Sequence, residues 1–217
     1  MLVKSFPTPW LKSNMYLLIE KRRGILVDAY ASQAYFDQFE KWVDSIDYII
    51  LTHEHYDHIS GTNAIRQRYR CPVLCGEACS QRIQNPTQNF SRYFNAYVSL
   101  QTGEHVPDEL LPVEEYSTHA DISFQREHHL SWQGHGLVLS ETPGHSPGSI
   151  CILVDQKYLF SGDTLLPEKS PMTRFPDGNR HSYEQVALPY LQSLPGDVTV
   201  YPGHYHSFPL RQHPVLH

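Results

Sequence analysis

Three imidazoles and a carboxylate crowd into six consecutive positions in Thr52-His53-Glu54-His55-Tyr56-Asp57-His58. Nitrogen and carboxylate donors at this density suit zinc, and the same set accepts iron or manganese. On an extended backbone, side chains two positions apart share a side, so His53, His55 and Asp57 can face one way. A helix starting there turns His58 to another side, and one loop can then serve two neighbouring ions. Three later fragments each expose one more donor at a tight turn: Thr142-Pro143-Gly144-His145-Ser146-Pro147-Gly148, Phe160-Ser161-Gly162-Asp163-Thr164 and Tyr201-Pro202-Gly203-His204. A glycine before each donor permits a turn that other residues resist, and proline stiffens the approach. The candidate metal ligands are therefore His53, His55, Asp57, His58, His145, Asp163 and His204.

Such donors need rigid carriers. Asn14 to Glu20 and Gly24 to Asp28 read as a hairpin around the basic turn Lys21-Arg22-Arg23. Ser32 to Asp44 carries aromatic residues at helical spacing. Tyr48-Ile49-Ile50-Leu51 is an apolar run of strand length that delivers the histidine cluster to a sheet edge. Asp57 to Tyr69 is patterned as a helix, and Cys71 to Leu74 as the next strand, which together make a layered α/β unit. The stretch from about Glu77 to Ala120, with Phe90, Tyr93, Phe94 and Tyr97, reads as a partly helical insertion. Strands return at His129 to Trp132, Gly136 to Glu141, Ser149 to Asp155 and Lys157 to Phe160. The capping box Ser182-x-x-Gln185 predicts a helix to Ser193, and Val198 to Tyr201 a last strand.

The cluster, with His145, Asp163 and His204 following in that order, resembles the metallo-beta-lactamase superfamily from the first hairpin to His204. The resemblance implies a single α/β domain over residues 1–217, built as a four-layer αββα sandwich with two metal ions at one edge. It implies that His53, His55 and His145 bind the first ion, Asp57, His58 and His204 the second, and that Asp163 bridges them. The fragments around His145 and Asp163, with Arg174-Phe175-Pro176-Asp177-Gly178-Asn179, are most similar to glyoxalase II, a thioester hydrolase. Two divalent cations would lower the pKa of a bridging water, which at a single zinc falls to about 7. The reaction expected is attack of a metal-bridging hydroxide, oriented by Asp57, on a small thioester or related ester. Glyoxalase II carries a C-terminal helical domain that contacts glutathione, whereas 13 residues follow His204 here. The expected thiol carrier is therefore not glutathione, and the 77–120 insertion is a candidate substrate wall. The alternative is an iron persulfide dioxygenase-like enzyme using His53, His145 and Asp163 as a two-histidine, one-carboxylate triad. A beta-lactamase or a non-catalytic binding protein ranks below both, since no export signal is evident and no ligand position is lost.

Composition narrows the partners to a small-molecule substrate. The net charge is -6 and no basic stripe exists, which argues against nucleic acid. No apolar run nears the roughly 18 residues of a membrane span, and Met1 to Trp10 lacks the plan of a secretory signal, so a cytoplasmic location is expected. Nothing in the sequence sets the oligomeric state. Cys71, Cys75 and Cys79 stand at helix-like intervals and predict one buried helix side. Asp28, ending an early strand, either orients a metal ligand or caps a turn. The remaining histidines, His105, His119, His128, His129, His135, His181, His206, His213 and His217, are expected in surface or hydrogen-bonded roles.

Overall fold

The structure, a computed structural model, describes residues 1–8, 11–102, 115–167 and 172–214. Strand β1 (Leu2–Pro7) pairs antiparallel with β2 (Asn14–Glu20), which turns through Lys21 and Arg22 into β3 (Arg23–Val27). Both turn residues have positive φ, 48° and 60°, the backbone that matches the twist of a two-residue hairpin. Strands β4 (Ser45–Ile50), β5 (Val73–Gly76) and β6 (Ile122–Phe124) then join in parallel, giving a six-stranded sheet in the order β1-β2-β3-β4-β5-β6. Helix α1 (Gln33–Trp42), capped by Ser32, makes the first parallel crossover.

A second six-stranded sheet runs β12-β11-β10-β9-β8-β7. Its members are β7 (Glu127–Trp132), β8 (His135–Glu141), β9 (Ile150–Val154), β10 (Tyr158–Gly162), β11 (Thr199–Pro202) and β12 (Phe208–Pro209). All neighbours are antiparallel except β10 and β11, whose parallel pairing requires a helical crossover.

Side-chain alternation turns these sheets into four layers. Along β2, Met15, Leu17 and Ile19 pack with Phe39 and Ile65 of the outer helices, while Tyr16 and Leu18 pack with Leu139 and Ile152 of the other sheet. Along β9, Ile150, Ile152 and Val154 face the first sheet, and Cys151 and Leu153 face Tyr183, Ala187 and Leu191. A strand buried on both faces reads as an unbroken apolar run, which is why periodicity could locate these strands without orienting them. The result is the αββα sandwich that the family resemblance implies.

Several local expectations are corrected. The helical stretch after Asp57 is two helices, α2 (Tyr56–Ile59) and α3 (Thr62–Tyr69). They part at Gly61, where a Cβ would lie 2.4 Å from Tyr30 and Ala31 backbone atoms. Cys71, Cys75 and Cys79 are buried but do not share a helix: Cys71 precedes β5, Cys75 lies in it, and Cys79 sits in α4 (Glu77–Arg82). The late helix begins with α6 (Arg180–Ser182), capped by the Asn179 side chain rather than Ser182. It continues through a π-helical segment, Tyr183–Ala187, into α7 (Leu188–Ser193). The 77–120 stretch holds α4, a 3-10 turn at Ser91–Tyr93 and α5 (Phe94–Thr102); its residues 103–114, with His105, lie outside the described set, as does His217. Among the described residues no helix is long and apolar enough to cross a membrane.

Candidate metal centre

All seven predicted donors meet at one edge of the sandwich. They come from the loops that follow β4, β8, β10 and β11. Their side-chain atoms form three overlapping groups: His53, His55 and His145; His53, His58 and Asp163; and Asp57, His58 and His204. Asp57 parts company with His53 and His55, because the helix that starts at Tyr56 swings it beside His58. Within the first group His55 Nδ1 lies 3.0 Å from His145 Nε2. In the last, Asp57 Oδ2 is 3.4 Å from both His58 Nε2 and His204 Nε2. Asp163 stands between the two, its Oδ2 3.6 Å from His145 Nε2 and 3.5 Å from His204 Nε2, its Oδ1 3.6 Å from His58 Nε2.

The three glycines before the donors earn their place in two ways. Gly144 and Gly162 have φ of 147° and 49°, which side-chain-bearing residues rarely adopt. Gly203 is required for space, since a Cβ there would lie 2.1 Å from Asp163 Oδ1.

Partners behind the donors fix their proton positions. His145 Nδ1 meets the Met172 carbonyl at 2.9 Å and His204 Nδ1 the Leu11 carbonyl at 3.1 Å. A carbonyl only accepts, so in each neutral ring Nδ1 carries the hydrogen and Nε2 turns a lone pair to the site. Asp28 orders two more rings. Its Oδ2 accepts from His58 Nδ1 at 2.8 Å and from Thr52 Oγ1 at 2.9 Å, while Oδ1 accepts from Thr52 N at 2.7 Å. Because the Thr52 hydroxyl spends its hydrogen on Asp28, it accepts from His53 Nδ1 at 3.0 Å. Of the two roles expected of Asp28, the contacts match the first: it orients one ring directly and a second through Thr52.

Five imidazoles and two carboxylates therefore converge where water is largely excluded. Two of the atoms, His53 Nε2 and Asp163 Oδ1, are buried without any hydrogen-bond partner. Buried polar atoms are rarely left so, and a cation would supply the missing partner. Burial, reinforced by His58 and His55, holds His53 well below the ordinary imidazole range, and burial with His145 does the same for His55. Burial also lowers His145, against the pull of Asp163. At His58 burial would act likewise, but Asp57 and Asp28 outweigh it and lift the ring to about 10. His204 is raised too, the carboxylates of Asp163 and Asp57 overcoming its burial. The donor set is thus suited to divalent ions, and protons compete for one half of it.

A buried network that sequence reasoning missed braces this edge. Glu54, within the motif but fully buried, accepts from Ser146 Oγ at 2.9 Å and pairs with Arg82, whose Nε lies 2.7 Å away. That contact is an ion pair rather than an aligned hydrogen bond, since neither atom finds a well-directed partner. Arg82 reaches on to Asp177, 2.5 Å from its Nη2, in the loop that carries Phe175. Gly148 leaves room for the carboxylate, as a Cβ there would sit 2.4 Å from Glu54 Oε2. Only the buried position of Glu54 beside two ligands hinted at this role; its partners are 28 and 92 residues away.

An open cavity of about 170 Å³ lies over the donors. His55, Asp57, His145, Asp163 and His204 form its floor, and Phe90, Phe94, Tyr97, Met172 and Phe175 stand in its walls. Phe90, Phe94 and Tyr97 come from the 77–120 stretch. The other described histidines stay outside the donor groups: His135 pairs with Asp155 and Glu20, His129 with Glu127, and buried His213 with the Leu166 carbonyl.

The sequence matches the metallo-beta-lactamase superfamily over residues 8–204, and the chain belongs to that superfamily. It is 29% identical over 158 residues to a probable metallo-hydrolase of Methanocaldococcus jannaschii, covering 70% of this chain and 67% of that one. It is 28% identical over 185 residues to a hydroxyacylglutathione hydrolase of Brucella ovis, covering 82% of this chain. The chain spans 54% of that relative's length. The fold is shared with the crystal structure of a B3 metallo-beta-lactamase, BLEG-1, at a TM-score of 0.82 and 24% identity over 99% of each chain.

Proposed function

We propose that this protein is a dinuclear metal-dependent hydrolase that cleaves a small thioester or related ester. The observation that carries the reading is the convergence of seven donors under an open cavity, with His53 Nε2 and Asp163 Oδ1 buried and lacking protein partners. His53, His55 and His145 would hold one ion, Asp57, His58 and His204 the other, and Asp163 would serve both. When bound, the ions supply Lewis acidity and a water that ionises near neutral pH; zinc is the expected pair.

The chain's own groups do the rest. Asp57 faces the cavity as well as its partner histidines, so its carboxylate is placed to accept a hydrogen bond from an attacking water and aim it. The aromatic walls exclude bulk solvent and leave the substrate carbonyl over the donors. A thiolate departs without protonation, which suits a cavity whose described carboxylates and imidazoles are all in the donor set. The similarity to a hydroxyacylglutathione hydrolase supports the thioester class, and the 77–120 residues in the wall support that stretch as a substrate-contacting element.

Elemental analysis of protein purified without added metal, paired with turnover of a thioester panel and a chromogenic beta-lactam, tests the reading. Close to two zinc ions per chain with thioester cleavage is the expected result. About one iron with oxygen uptake on a persulfide would move the assignment to a dioxygenase, and cleavage of the beta-lactam alone would replace the substrate class.

A further inference from the structure

The cavity wall restricts what acyl group can sit over the donors. Phe90 stands 4.9 Å from the His55 ring, and Phe175 lies 5.6 Å from His55 and 5.5 Å from His145. Tyr97 packs on Phe175 at 5.4 Å, so two segments distant in sequence present one aromatic face beside the reacting position. Among the described residues, every ionisable carboxylate or imidazole lining the cavity belongs to the donor set, and no lysine or arginine lines it. Arg82 is occupied by Glu54 and Asp177 and serves to brace the Phe175 loop.

Against this aromatic wall, away from the donors, an anionic acyl group would lose its hydration with no cationic side chain among the described lining residues to replace it. An aromatic ring there instead buries apolar area and meets other rings at the offset and edge-on separations that favour them. The cavity, about 170 Å³, has room for one ring against this wall.

Resting on the hydrolase reading above, we propose that the site selects an uncharged aromatic acyl group, seated against Phe90, Tyr97 and Phe175. In the reaction the acyl C–S bond breaks, water oxygen forms the new C–O bond, and its two protons go to the thiolate and, after ionisation of the acid, to solvent.

The test uses thioesters of one neutral carrier, N-acetylcysteamine, bearing phenylacetyl, acetyl or succinyl groups, with the metal-loaded wild type and the Phe175→Ala and Tyr97→Ala variants. The expected kcat/KM is at least about tenfold higher for phenylacetyl than for either other ester, with that ratio lowered about fivefold or more in each variant. A second readout needs no turnover: phenylacetamide binding to metal-stripped protein, measured by calorimetry, should be weakened at least about fivefold by Phe175→Ala. Preference for acetyl or succinyl, or a ratio indifferent to both variants, would overturn the proposal. Phenylacetamide binding that depends on Phe175, without cleavage of any thioester, would sink the hydrolase reading while leaving the aromatic pocket standing.

Discussion

Replacing Asp28 by Asn should weaken both metal positions through proton order alone. Asp28 is buried with φ of 62°, a conformation that Asn adopts as readily as Asp, so the backbone has no reason to move. Asn keeps one oxygen for Thr52 N but presents an amide NH2 where Oδ2 accepted from Thr52 Oγ1 and His58 Nδ1. His58 Nδ1 must then accept, which puts its hydrogen on Nε2, the atom that faces Asp57 and His204. Thr52 Oγ1 must accept as well, which turns its hydrogen toward His53 Nδ1 and moves that ring's hydrogen onto Nε2. One isosteric substitution therefore removes a lone pair from each donor group. Partners behind metal ligands typically contribute 10–100-fold in affinity, about 1.4–2.7 kcal/mol per ion. Exchanging charge-assisted for neutral hydrogen bonds costs the metal-free fold about 1–3 kcal/mol, or roughly 2–12 °C in Tm at this chain length. The assay is competition with a chromophoric chelator, with elemental analysis of each variant. Thr52→Val serves as the comparison, since it disturbs His53 and leaves the His58–Asp28 contact in place. Wild-type affinity for both ions in Asp28→Asn would refute the tautomer argument.

Asp163→Ala should abolish hydrolysis and lower metal content while near-native circular dichroism is kept; full activity would rule out a shared ligand. Arg82→Met should destabilise the fold by about 3–5 kcal/mol in denaturant titration, because Glu54 is left buried and unpaired. Asp177→Asn, at the exposed end of the same network, should cost less than about 1 kcal/mol. pH should separate the metal-free and loaded forms. His58 rises from its ordinary 6.5 to about 10 in the metal-free fold, so protonated His58 contributes stability below 6.5 that is lost as pH climbs toward 10. In metal-loaded protein Nε2 of that ring carries no proton to lose, and the Tm gain from zinc should widen across that window in differential scanning fluorimetry.

The donor set was legible in the sequence because its spacing is local: three histidines and Asp57 share one loop, and Gly144, Gly162 and Gly203 mark the other turns. Strand positions followed from apolar runs such as Tyr48 to Leu51. Strands β1, β6 and β12 escaped, the last lying beyond the expected final strand, since Leu2 to Pro7 is mostly exposed or half-buried and Ile122 to Phe124 and Phe208 to Pro209 are only three and two residues long. The late helix was capped in the wrong place because the side chain of Asn179, three residues before Ser182, accepts from the Ser182 amide and starts the helix one turn earlier. Cysteine spacing misled for a related reason: an interval of four residues spans a strand and a helix start as easily as one helix face. The Glu54–Arg82–Asp177 brace could not be read at all, as it joins segments that only the folded chain brings together.

The chain origins of the ligands carry a mechanical consequence. Each donor group takes members from both sheets: His53 and His55 meet His145 from across 90 or more residues, and Asp57 and His58 meet His204 from across 146. An ion held by such a group ties the two halves together at their rim like a rivet, closing loops whose entropic cost the separate halves could not offset alone. Slippage between the sheets is then resisted at the point where the cavity opens, and chelation should loosen the seam there before it loosens either sheet.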